Sequence, residues 1–185
     1  MKISKEQAAR NRELVIEAAA RLFRERGIDG VAVADVMEAA GFTHGGFYNH
    51  FPTKEALAVE ACYAAFGEAI ATLTAAVEAG EPRAGLLRYA EQYLSPSHRD
   101  DRSSGCPTGS LAADASRQPE EVQAAYAAGL ESTLAVFAAA LGDDRRAALR
   151  LMSELVGALT LARAVAAARP KLSSEILKAS REALA

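Results

Sequence analysis

Apolar residues recur along this chain at intervals of three and four almost throughout, and Val/Ile/Thr alternation is absent. That spacing follows the 3.6-residue repeat of an amphipathic helix and predicts an all-α protein with no strand. The first helix is expected over Lys5–Arg26: Val15, Ala18, Ala19, Leu22 and Phe23 form one apolar stripe, and Gly27 supplies a C-terminal stop. Two short segments follow, residues 33–40 and 44–50, separated by Gly41-Phe42-Thr43. Short helices joined by a glycine-bearing turn are the pattern of a helix-turn-helix.

Thr53 is placed to cap the next helix, which meets no breaker until Gly80-Glu81-Pro82. A domain boundary is expected inside it, giving units 1–55 and 56–185. Another helix is expected over 82–94, and the polar stretch 95–105 reads as an exposed loop. Pro107 and Pro119 suit the first turns of a short and a long helix, and residues 143–168 and 170–184 supply the last two. The expectation is about nine helices: an N-terminal three-helix unit followed by a larger helical one.

The chain of 185 residues carries a formal net charge of −3, so any contact with a polyanion has to be local. Lys2, Lys5, Arg10 and Arg12 supply such a patch near the start, against Glu6 alone before Glu13. The other reading of these charges is a solvated helix start. Met1-Lys2 opens a polar stretch without a signal-peptide core, and apolar runs such as 164–168 fall far short of a membrane span, so a cytoplasmic protein without membrane contact is expected. Cys62 and Cys106 lack metal-ligand spacing, and neither a zinc site, a disulfide framework nor a cofactor is indicated.

Residues 33–54, VADVMEAAGFTHGGFYNHFPTK, carry the most specific signal. With Phe23, Gly27, Val31, Gly41-Phe42, Phe47-Tyr48, His50-Phe51 and Lys54-Glu55-Ala56-Leu57, they resemble the DNA-binding motif of the tetracycline-repressor (TetR) family over roughly residues 10–58. Gly41 permits a left-handed turn, after which Thr43 and His44 are candidates to reach base edges or phosphate, and Gly45 and Gly46 leave room for close backbone approach. Many relatives carry a hydroxyl at the second of these glycines. The resemblance implies that Tyr48, His50 and Lys54 contact phosphate and that Phe47 and Phe51 pack inward; Asn49 and, from the basic patch at the start of the chain, Lys5 and Arg10 complete the candidate DNA-binding set.

Beyond Leu57 the resemblance reduces to a set of about six helices, implying a sensor for a small molecule. Tyr63, Phe66, Tyr89, Tyr93 and Tyr126 are candidate cavity residues, with ordinary core packing as the alternative for each. Cys106, in GCPTGSLA at a helix start with Arg99 and Arg102 nearby in sequence, resembles a cysteine that senses oxidants or electrophiles in one branch of the family. The alternative is a buried capping residue that shapes a pocket. Met152, Leu155, Val156, Leu159, Leu172 and Ile176 are expected to form a four-helix homodimer interface. The resulting reading is not an enzyme but a regulator, most simply a repressor, released from a palindromic double-stranded operator by an effector or by modification of Cys106. The competing readings are a helical interaction module without DNA binding and a cysteine-dependent enzyme.

Overall fold

Capping chemistry sets most helix starts. The computed structural model describes residues 4–184, so Lys2 of the N-terminal patch lies outside the described residues. Ser4 accepts from the Gln7 N–H to open α1 (Lys5–Arg26), and α2 (Val33–Ala39) and a 3-10 helix (His44–Asn49) follow. Thr53 accepts from the Ala56 N–H at the start of α3 (Lys54–Glu78), and Glu81 caps α4 (Pro82–Tyr93). The remaining helices are α5 (Pro96–Asp100), α6 (Pro107–Ala115), α7 (Glu120–Ala140), α8 (Arg145–Val165) and α9 (Pro170–Glu182). No strand occurs among the described residues.

The turn after α2 is closed by two backbone bonds, Phe42 N–H to Met37 O at 2.8 Å and Gly41 N–H to Glu38 O at 3.0 Å. They form a Schellman motif whose C′ residue must be left-handed, and Gly41 has φ 82°. Below the turn, Phe47 and Phe51 stack at 5.8 Å and are buried with Phe23, Met37 and Leu57. Burial of each such side chain contributes about 1.5–3 kcal/mol.

Two apolar clusters fill the molecule. One joins α1, α2, the 3-10 helix and α3 as far as Phe66, and reaches Leu111, Val122 and Ala125; the other joins Leu73 to α4, α7, α8 and α9. α3 serves both. By length and composition it is apolar enough to cross a membrane, but here it is the axis of the bundle, packed on α1, α4 and α7. Where α3 meets α7, a Cβ at Gly129 would lie 2.2 Å from Phe66 Cγ.

Three expectations need correction. The 95–105 stretch is not simply an exposed loop: the Ser95-Pro96 pair caps and opens the short α5, and Arg163 grips the carbonyls that follow. Helix α8 ends at Val165, short of 168: residues 166–168 form a turn, and Arg169, before Pro170, has left the helical region at φ −141°. Met152, Leu155 and Leu159 do not lie on an outer interface. They face inward, with Leu155 and Leu159 both at 0% exposure, because the phase of α8 turns that stripe onto the second cluster. Of the expected interface set, Leu172 is exposed and Val156 and Ile176 are half-buried.

Gly129→Ala tests the α3–α7 approach. Overpacking against the Phe66 ring, about 1–3 kcal/mol, should outweigh the roughly 1 kcal/mol of helix propensity that alanine gains. The urea midpoint is expected to fall with little change in slope; an unchanged or higher midpoint would refute the contact.

Candidate DNA-binding face and effector cavity

The turn and the 3-10 helix raise one face of the N-terminal unit into solvent. Thr43, His44, Gly45, Tyr48 and Asn49 are exposed, Tyr48 at 68%. The Thr43 side chain makes no capping bond, so its hydroxyl is available. Gly46, His50 and Lys54 are half-buried around this face, with His50 tilted against Phe42 at 6.4 Å. A Cβ at Gly45 would meet nothing within 4 Å, and one at Gly46 would make an ordinary 3.5 Å contact with Met37 Cε, so packing within the chain does not demand either glycine. The segment is a 3-10 helix rather than the expected α-helix, since two adjacent glycines in six residues give an α-helix little support.

Lys5 and Arg10 are exposed on the first half of α1. Arg12 is not part of this free charge. Its guanidinium lies 4.5 Å above the Phe51 ring and pairs through both terminal nitrogens with Glu60, fastening α1 to α3; the pair raises the Arg12 pKa and lowers that of Glu60. Arg24 acts similarly further along α1. It is buried, donates to Ala20 O, and reaches Glu68 on α3 at 2.9 Å.

A cavity of about 150 Å³ opens beside Cys106, walled by Ala69 and Thr72 of α3, Tyr89, Gln92 and Tyr93 of α4, His98 of α5, and Ser104. Cys106 is the N-cap residue of α6 and is 6% exposed. The Tyr93 ring lies tilted against His98 at 4.6 Å, and its buried hydroxyl has no hydrogen-bond partner among the described residues. Burial first, and the nearby Cys106 sulfur next, push the Tyr93 pKa well up; the Tyr89 pKa rises for the same two reasons. In the first cluster, burial lifts the Cys62 thiol to about 11, which keeps it protonated.

His98 holds the cavity mouth. Its Nδ1 lies 2.7 Å from Tyr93 O, while the Cys106 N–H points at Nε2 from 3.3 Å. This pattern requires the neutral tautomer with the proton on Nδ1. Burial, as the largest cause, lowers its pKa. Arg163 completes the arrangement, donating from Nε to Arg99 O at 3.0 Å and from Nη2 to His98 O at 2.8 Å and Asp101 O at 3.3 Å. The arginine that holds the backbone leading into Cys106 is therefore Arg163, not Arg99 or Arg102. Arg99 instead pairs with Asp100 and donates to Ser173 Oγ, which in turn donates to Ala162 O.

The candidate sensor residues thus separate. Tyr89, Tyr93 and Cys106 share the cavity. Phe66 and Tyr126 pack edge to face at 5.5 Å in the first cluster, and the Tyr126 hydroxyl donates to Thr108 O. Burial first raises Tyr126 to about 12. Tyr63 is 52% exposed, outside the cavity wall. Sequence reasoning leaves His98 as a loop histidine near Cys106 and does not single out Arg163, which holds the His98, Arg99 and Asp101 carbonyls. The Ser95-Pro96 capping pair and a lone arginine in the apolar run of α8 were the available signals.

Residues 15–61 match the family described as "Bacterial regulatory proteins, tetR family". The HTH-type transcriptional repressor NemR of Escherichia coli (strain K12) is 29% identical over 137 residues, 72% of this chain and 68% of that protein. The crystal structure of E. coli NemR in its reduced form superposes with a TM-score of 0.80 at 23% identity, covering 95% of each chain. A TetR-family transcriptional regulator from Cytophaga hutchinsonii superposes with a TM-score of 0.79, also at 23% identity, over 100% of this chain and 96% of that one. These structural likenesses concern the fold.

The His98 staple gives a pH signature. The unfolded chain takes up the His98 proton near pH 6.5, whereas the folded chain resists it until a lower pH. Stability from this group is therefore complete above about pH 6.5 and is lost as pH falls from there through the folded pKa. Urea melts at about pH 7.5 and about pH 5.5 should show a larger loss for the native chain than for His98→Gln. Equal losses would remove His98 from the account.

Proposed function

We propose, from the match of residues 15–61 to the tetR family of bacterial regulatory proteins, that the chain is a homodimeric cytoplasmic repressor. It leaves a palindromic operator when a small molecule enters the Cys106 cavity or modifies that thiol. The observation that carries the DNA side is the exposed face of Thr43, His44, Tyr48 and Asn49, raised by the Gly41 turn over the buried Phe47–Phe51 pair. Tyr48, His50 and Lys54 hold phosphates, with Lys5 and Arg10 adding charge, while Thr43 and His44 meet base edges beside the open backbone of Gly45 and Gly46. Two such faces enter successive major grooves when about 34–36 Å apart.

Leu149 and Leu161 of α8 and Leu172 of α9 are exposed large apolar side chains, and with half-buried Val156 and Ile176 they supply the dimer face in this reading. Domain units 1–55 and 56–185 meet within α3. The effector signal runs from the cavity along residues 95–105, whose Ser103 and Ser104 border a cleft with Arg24, Glu68, Ala39 and Ala40 of the N-terminal side. Any group that fills the cavity or enlarges Cys106 displaces this segment and shifts the two DNA-binding faces out of register. The protein binds rather than catalyses: His98 spends both ring nitrogens on backbone groups and so is not poised as a base for the thiol.

The DNA reading is tested by fluorescence polarisation with duplexes from the region flanking the chain's own gene. Specific binding with steep salt dependence is expected; Tyr48→Phe should weaken it by about tenfold, and Lys54→Ala should reduce the salt slope. Shallow salt dependence without sequence preference would favour an interaction module instead.

The thiol reading is tested by treating the native chain and Cys106→Ser with iodoacetamide. Alkylation should lower operator affinity in the native chain alone. The same response in both would exclude Cys106 as the switch.

A further inference from the structure

A second cleft, of about 350 Å³, lies away from the Cys106 cavity between the end of α1 and the α6–α8 side of the body. Arg24, Arg26, Arg102 and Arg163 line it, against the acids Glu25 and Asp114. The acids do not balance the cluster. Asp114 is engaged by Arg117 at 2.8 Å, outside the lining set, and Glu25 touches Arg26 only loosely at 3.9 Å. Arg24 is committed to Glu68, whereas Arg102 makes no ion pair among the described residues. Arg163 gives Nε and Nη2 to backbone carbonyls and leaves Nη1 without a hydrogen bond among the described residues.

We propose that this cleft is a binding site for a compact, multiply charged oxyanion of the phosphate class, held between Arg102 and Arg163 with Arg26 at its rim. Guanidinium groups converging on one cleft suit such a ligand because each offers paired N–H donors to two oxygens. The Arg163 pKa is lowered, first by burial and also by the field of Arg102, a cost that an anion between the two would relieve. The Thr160 side chain, also on the lining, provides a further donor. Since Arg26 belongs to α1 and the other two arginines to the body side, the anion fastens the DNA-binding unit to the rest of the chain.

The test is the melting temperature of the full-length chain titrated with pyrophosphate, against sodium chloride at matched ionic strength. A saturable rise with pyrophosphate alone is expected. Exposed Arg102 is the residue to change, because replacing Arg163 would also release the 95–105 segment. Arg102→Gln should weaken pyrophosphate binding about tenfold, and Glu25→Gln, which removes a competing negative charge, should strengthen it. A rise reproduced by salt, absent altogether, unchanged in Arg102→Gln, or abolished by Lys54→Ala on the DNA-binding face would overturn the proposal. The readout needs no DNA, so it stands apart from the operator reading.

Discussion

One continuous helix, α3, buries side chains in both apolar clusters, and the rest of the molecule is arranged around that constraint. Leu57, Ala58, Ala61 and Phe66 belong to the cluster beneath the exposed Thr43–Asn49 face, and Leu73 to the cluster of the body. A 25-residue helix cannot slide at one end and stay fixed at the other without losing close contacts. Its position is set where Phe66 closes over Gly129, leaving no room for even a methyl group. The Arg12–Glu60 and Arg24–Glu68 pairs then tie α1 to the same helix at two heights. Orientation of the exposed face is thus decided by packing well away from it.

The segment 95–105 has the opposite character. It has few apolar anchors and is held by directional polar contacts: Arg163 on three carbonyls, Arg99 on Ser173, and His98 between Tyr93 O and the Cys106 N–H. Such a network is specific when every member is in place and weak once one is displaced. It also touches both ends of the proposed signal, since His98, Ser104 and Cys106 wall the cavity while Ser103 and Ser104 border the cleft under α1. A stiff axis with one polar, displaceable segment beside it is a physical basis for a two-state response.

The helical architecture and the exposed Thr43–Asn49 face were largely legible in the sequence because both rest on local signals. Period, caps and the Gly41 turn are written in consecutive residues, and the inward placement of Phe47 and Phe51 follows from the motif. The cavity was legible only in part. Tyr89, Tyr93 and Cys106 stood among the candidates, but their selection over Tyr63 and Phe66 depends on how α3 and α4 are rotated about their axes. Arg163 lies more than fifty residues beyond Cys106, and its role exists only once α8 packs beside α5. Arg12 was counted with the free charge because Glu60, its partner, is equally remote in sequence.

The apolar stripe of α8 was ambiguous for a related reason. Leucines on two flanks of one helix announce two buried faces but not which neighbour covers which. Packing settles the inner one: Leu155, Leu159 and Ala162 fill the second cluster. Leu161 remains 59% exposed and Leu172 40%, each forgoing much of the about 1.5–3 kcal/mol that full burial would contribute. A two-fold axis beside these residues would cover each of them twice over the pair. It would also make the separation of the two DNA-binding faces depend on the angle between α8 and α3, which the second cluster fixes through α4 and α7. Dimerisation and operator spacing would then be one geometric problem, solved by the same core that walls the Cys106 cavity.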